Sequence, residues 1–198
     1  DIGVKPAVLD EIRPQTWANE PALWLSAFPR PAVNGHKYSR GHVVVRSGPM
    51  PSTGAAKLAA RGALRIGAGL VTIASPANAI AAYAAESVAV MVRQVDDAAG
   101  WVAFLADKRR NAVVLGPGGG VGDKMKAEVE TALQSEAAVV LDADALTSFS
   151  QEPERLWQAI RERKGHPVVL TPHDGEFGRL FSSLQTNITV KSNNGSQL

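Results

Sequence analysis

At 198 residues, with 45% hydrophobic and 20% charged side chains, the chain suffices for one globular domain with a substantial core, or a little more. Its 21 Lys+Arg against 19 Asp+Glu leave a formal charge of only +2, and no basic run is interleaved with aromatics, which argues against nucleic acid as a partner. Cysteine is absent, which excludes disulfides and thiolate metal centres, and four scattered histidines give a zinc site little to build on.

The opening DIGVKPAVLDEIRP lacks the basic start and long apolar core of a signal peptide, and no stretch reaches about eighteen continuous apolar residues. A soluble, cytoplasmic protein with no membrane partner is expected. The triplets at Asn187 and Asn194 match the glycosylation acceptor, but such triplets are frequent by chance.

Residues 1–35 read as an irregular arm punctuated by prolines. From His42 the texture changes. HVVVRSG (42–48) predicts a short buried strand, GAAKLAARGALRIGAG (54–69) a helix ending at glycine, and LVTIASP (70–76) a second strand. A helix is predicted over 77–86, a weak strand at VAVMV (88–92), a helix over 98–108, and a clearer strand in NAVVLGPGGG (111–120) running into a glycine loop. DKMKAEVETALQ (123–134) is amphipathic, AAVVLDADAL (137–146) holds a buried strand, EPERLWQAIRERK (152–164) a charged helix, and HPVVLTPHDGEFGRLF (166–181) a strand, a turn and a helix start. Strands that alternate with helices, and that are apolar throughout, predict an α/β fold whose mostly parallel sheet carries helices on both faces.

In such sheets ligands bind beyond the carboxyl ends of the strands. Four loops would converge there: Ser47 to Ala56, Gly116 to Gly122, Asp142 with Asp144, and Thr171 to Glu176. The glycines of GPGGGVGD let backbone amides approach an anion, yet the loop is neither a Walker A sequence nor a dinucleotide fingerprint, since Val121 stands where glycine is required; a plain tight turn fits equally. Ser52 and Thr53 open a helix with free amides and can equally cap it. Lys57, Arg61 and Arg65 form a basic stripe best read as a solvated face. Asp142 and Asp144 can hold magnesium through water or cap the next helix. In TPHDGEF, Thr171 and Pro172 are expected to make the turn, Glu176 to sit in the first helical turn, and His173 to point into the crevice, although a lone histidine is more often structural than catalytic.

Taken together, HKYSRGHVVV, TGAAKLAARGALRIGAGLVTIASP, VVLGPGGG, VVLDADAL and VVLTPHDGEF resemble the ADP-dependent NAD(P)H-hydrate dehydratase family, the C-terminal domain of bifunctional bacterial repair enzymes, over about Gly35 to Phe181. The resemblance implies a ribokinase-like fold lacking its C-terminal part. It implies an enzyme, a carbon-oxygen lyase, that uses ADP, or ATP in some members, with Mg2+ to dehydrate (6S)-NAD(P)H hydrate, releasing AMP and phosphate. It further implies a homo-oligomer, and a substrate site lined by Ala55, Gly118 and His173, with Asp174 and Glu176 ordering the turn.

On the same resemblance, residues 1–35 correspond to the end of an epimerase domain and a linker, with DIGV as a last strand; 36–181 to a partial dehydratase domain; and 182–198 to a polar tail of atypical sequence. The family's Gly-Ser-Gly-Asp motif, which binds nucleotide phosphates and supplies the catalytic aspartate, has no counterpart here, so no catalytic residue is assigned and little or no activity is expected. Gly119 replaces a usual apolar residue and Thr147 a usual asparagine. Another ribokinase-like small-molecule kinase and a non-catalytic nucleotide-binding fragment are the alternatives.

Overall fold

A computed structural model describes residues 3–14, 18–85, 88–163 and 165–182. The chain divides into two compact units, Asp1–Asn34 and Gly35–Leu198.

In the first unit the prolines start helices instead of merely punctuating. α1 (Pro6–Ile12) and α2 (Pro21–Trp24) each carry proline in the first turn, where the missing N–H has no helical partner to lose. The expected irregular arm is thus partly helical. Gly3 and Val4 lie in no strand, and Asp1 and Ile2, the rest of the expected strand, fall outside the described residues.

The second unit runs β1 (His42–Arg46), α3 (Gly54–Ile66), β2 (Leu70–Ser75), a short 3-10 turn into α4 (Ile80–Ala84), β3 (Met91–Gln94), α5 (Ala98–Leu105), β4 (Ala112–Leu115), α6 (Asp123–Gln134), β5 (Ala138–Leu141), α7 (Asp144–Ser148), α8 (Pro153–Arg161), β6 (Val168–Leu170) and α9 (Asp174–Leu180). The sheet order is β3-β2-β1-β4-β5-β6, with every pairing parallel. That order puts the ends of β1, β4, β5 and β6 side by side.

Alternation along each strand sends neighbours to opposite faces, so Val44 and Val45, both fully buried, belong to different cores. Val44, Val113, Val139 and Leu141 pack with Trp101, Val129, Leu146 and Leu156 from α5 to α8. Val45, Val71 and Ile73 pack with Ala56, Ala60 and Tyr83 of α3 and α4. Each fully buried Val or Leu contributes about 1.5–3 kcal/mol. The small alanines let α3 lie close on the sheet.

Three boundaries shift: α8 ends at Arg161, short of the expected 164, and two others have a visible cause. The strand expected at 88–92 forms instead at Met91–Gln94, because pairing with Thr72–Ser75 begins only at Met91; Val88 lies in solvent, while Val90 is buried against the α3–α4 core. α5 ends at Leu105, three residues early, where residues 106–110 turn back through an Arg110 N–H to Asp107 carbonyl bond at 2.9 Å.

Candidate ligand-binding site

The loops beyond β1 and β4 touch. A Cβ on Gly48 would overlap the Gly118 carbonyl oxygen, so only glycine permits this approach. Gly116, at φ 118, is likewise required, since a Cβ there would overlap the carbonyl oxygen of Asp142. Gly118 also lies against the carbonyl of Ser52, just before α3. Three of the four predicted loops are thereby brought together.

Three amides of the glycine loop are used within the protein. Gly119 N–H donates to the Gly116 carbonyl at 2.9 Å, Gly120 N–H to Asp144 Oδ2 at 2.9 Å, and Gly122 N–H to Ser148 Oγ at 3.1 Å. The Gly118 amide makes no hydrogen bond among the described residues. At the start of α3, Thr53 provides no side-chain cap, which leaves the Ala55 amide equally unused. Ala55 and Gly118 thus bring two unspent donors from loops in contact.

Asp142 and Asp144 hold loops in place. Thr171 Oγ1 donates to Asp142 Oδ1 at 2.8 Å, which links the fourth loop to the second and third. Asp144 fixes Gly120 and also stands in the first turn of α7.

His173 is the N-cap of α9, directly after the expected Thr171–Pro172 turn. Its Nδ1 accepts from Gly175 N–H at 3.0 Å, while Glu176 Oε2 accepts from His173 N–H at 3.0 Å, a reciprocal cap. Accepting at Nδ1 places the ring proton of the neutral imidazole on Nε2, which lies 3.4 Å from Glu176 Oε1. Glu176 is buried and orders the helix start as expected, whereas the imidazole is 68% exposed. The hydrogen bonds of His173 stay within its own cap, and its link to Ala55 and Gly118 runs through Thr171 and Asp142.

The sequence reading missed an ion pair beneath the first loop. Arg46, 1% exposed, donates from Nε to Glu128 Oε2 at 3.0 Å and from Nη2 to Oε1 at 2.6 Å. Its Nη1 donates to the carbonyls of Ala74 at 3.1 Å and Val95 at 2.9 Å. One guanidinium therefore ties the end of β1 to β2, to the segment after β3, and to α6. The signal was present: Glu128 interrupts the apolar stripe of Met125, Val129 and Ala132 on α6. Beside the pair opens a cleft of about 390 Å³ that reaches Gly48, Asp96, Gly119 and Lys124. The Gln94 amide and the Ala77 N–H hold the Asp96 carboxyl below the usual carboxylate range. A larger cavity of about 530 Å³ opens instead between α6 and α8, but its Arg155 and Arg163 are committed to Glu130 and to main-chain carbonyls of residues 132–137.

Met125 explains why Gly119 is tolerated, since its terminal methyl occupies the place a side chain at 119 would take. No helix among the described residues is long and apolar enough to cross a membrane.

The family profile described as NAD(P)H-hydrate dehydratase matches residues 43–198. A bifunctional NAD(P)H-hydrate repair enzyme of Synechocystis sp. is 32% identical over 192 residues, 92% of this chain and 36% of the relative. Its counterpart in Coxiella burnetii is 35% identical over 80% of this chain and 31% of its own length. Among solved structures, the ADP/ATP-dependent NAD(P)H-hydrate dehydratase of Bacillus subtilis, co-crystallised with ATP/Mg2+, superposes with a TM-score of 0.56 at 26% identity, covering 80% of this chain and 55% of that one. A ribokinase-like superfamily protein of Enterococcus faecalis, at 24% identity and a TM-score of 0.59, shares the fold. The chain spans about a third of the repair enzymes and about half of the solved structures it matches. With the ribokinase-like sheet in place and the profile covering most of its length, the chain belongs to the NAD(P)H-hydrate dehydratase family.

Proposed function

We propose that this chain carries the dinucleotide-binding part of an ADP-dependent NAD(P)H-hydrate dehydratase, with Ala55, Gly118 and His173 contacting the hydrated dinucleotide. The observation that carries this reading is the pair of unused amides, Ala55 at the start of a long helix and Gly118 in the loop packed beside it. Amides at a helix start and in a glycine loop suit a pyrophosphate. The exposed His173 ring, with its proton on Nε2, adds a donor for a phosphate or ribose oxygen.

In the reaction read from this membership, ADP transfers its terminal phosphoryl group to the hydroxyl of the hydrate, giving AMP. The phosphate then leaves with the C–O bonding pair as a proton departs from the adjacent carbon, which restores the ring double bond. Among the described residues, no three His, Asp or Glu side chains gather as metal ligands, and Asp142 and Asp144 are engaged by Thr171 and Gly120. Each of the two carboxylates keeps a second oxygen, but a pair alone does not define a metal site, and none is assigned to the described residues. The role proposed for them is therefore binding and orientation of the dinucleotide, and no phosphoryl-transfer step is assigned to them.

The test is recovery of NADH absorbance from hydrated NADH with ADP and Mg2+. This chain is expected to bind the hydrate and to restore absorbance slowly or not at all, whereas the same chain joined to a Gly-Ser-Gly-Asp-bearing segment of a relative restores it. Failure of both, with no binding of hydrated NADH, would refute the reading.

A further inference from the structure

The cleft of about 390 Å³ beside the Arg46–Glu128 pair continues from the glycine platform, since Gly48, which packs on the Gly118 carbonyl, and Gly119 both line it. From there it runs past the ends of β2 and β3, on the side of the platform away from β6 and His173. Arg46 and Glu128 neutralise each other at its floor. The charged side chains left to meet a ligand are Asp96 and Lys124, both exposed and both lining the cleft.

Asp96 is held in place for such a contact. Its Oδ1 accepts the Ala77 N–H at 2.8 Å and its Oδ2 accepts from the Gln94 amide at 2.5 Å, which fixes an ionised carboxylate whose oxygens each have room for a second donor. A dinucleotide extends in two directions from its pyrophosphate, so with the pyrophosphate on the Ala55 and Gly118 amides one nucleoside runs toward His173 and the other toward Asp96. The hydrated ring has to meet ADP, and a cleft of this size accommodates one nucleoside and not a second nucleotide beside it. We infer that the cleft takes the non-reacting nucleoside, with Asp96 accepting from its ribose hydroxyls, and that Asp96 thereby selects hydrated NADH over hydrated NADPH. The carboxylate gains a hydrogen bond from a free 2′-hydroxyl and meets like charge where NADPH carries a phosphate on that oxygen. Lys124 Nζ donates to the Asp96 main-chain carbonyl at 3.3 Å, so a 2′-phosphate would have to compete for it. The inference rests on the proposed dinucleotide reading and adds to it the choice between the two hydrates.

The test is calorimetric titration of hydrated NADH and of hydrated NADPH into this chain in parallel. Hydrated NADH is expected to bind about tenfold tighter. Asp96→Asn, which can still accept the Ala77 N–H, should bring the two affinities to within about twofold, chiefly by tightening hydrated NADPH. Asn78→Arg, an exposed change beside the Ala77 anchor, should reverse the preference by pairing with the 2′-phosphate and leave the melting temperature unchanged. Equal affinities in the parent, a parent preference for hydrated NADPH, or a preference for hydrated NADH that neither substitution alters would overturn the inference and leave the proposed function standing. Absence of saturable binding by either hydrate would remove both.

Discussion

The ends of β1 and β6 supply parts of the same candidate site by opposite means. At the end of β1, Arg46 is buried and makes four hydrogen bonds to Glu128, Ala74 and Val95, so the loop carrying Gly48 starts from a fixed point. At the end of β6, a three-residue strand with Val169 half exposed leads to a histidine that is mostly in solvent and held by its own helix cap. The glycine platform is built into the core, whereas His173 is set by local chemistry and one Thr171–Asp142 bond. Platform changes should therefore unfold the protein, and changes at His173 should alter binding first.

The largest effect is expected from Glu128→Ala, which strands the buried Arg46 charge and should lower unfolding stability by about 3–5 kcal/mol in urea titrations. The paired replacement Arg46→Met with Glu128→Leu should recover most of that loss, because no charge is then left buried. Next comes Gly48→Ala, whose methyl overlaps the Gly118 carbonyl and forces the two loops apart; a loss of about 2 kcal/mol or more, with weakened dinucleotide binding, is the expected outcome. At the other end of the comparison, Glu176→Ala removes half of the reciprocal cap and should cost about 1 kcal/mol. His173→Asn keeps a residue that caps well, so its melting temperature should stay close to wild type while dinucleotide binding weakens about tenfold through loss of the ring donor.

The smallest effect concerns the far end of β1. Burial, with the positive charges of Arg110 and Arg109 nearby, holds the His42 imidazole below its ordinary value of 6.5, and its Nε2 lies 2.7 Å from Thr72 Oγ1. The unfolded chain therefore takes up this proton more readily than the folded one. The contribution of neutral His42 to stability is complete above about pH 6.5 and is lost as pH falls through the lower folded value. Thermal unfolding between pH 7.5 and 5 should show this slope, and His42→Asn should flatten it.

Much of this fold was legible because continuous apolar runs stopped by glycine leave little ambiguity: β1, α3, β4, α6 and β5 lie where the pattern put them. The site loops followed from the rule that parallel sheets bind at their carboxyl ends. What escaped depends on partners distant in sequence or on competition between local signals. Arg46 and Glu128 are 82 residues apart, and only the sheet order makes them neighbours. The turn at Thr171–Pro172 was legible, but that the His173 imidazole itself caps α9 depends on a ring orientation no pattern shows. β3 slid because register with Thr72 outweighed the apolar VAV preceding it. α1 and α2 were overlooked because proline was weighed as a breaker and not as a first-turn residue.

The most direct test of the central claim is calorimetric titration of hydrated NADH into this chain and into its His173→Asn and Gly118→Val variants. Saturable binding by the parent, weakened in both variants while His173→Asn melts as the parent does, is the predicted result. Absence of saturable binding, or affinities unchanged in both variants, would contradict the assignment of this surface to the dinucleotide.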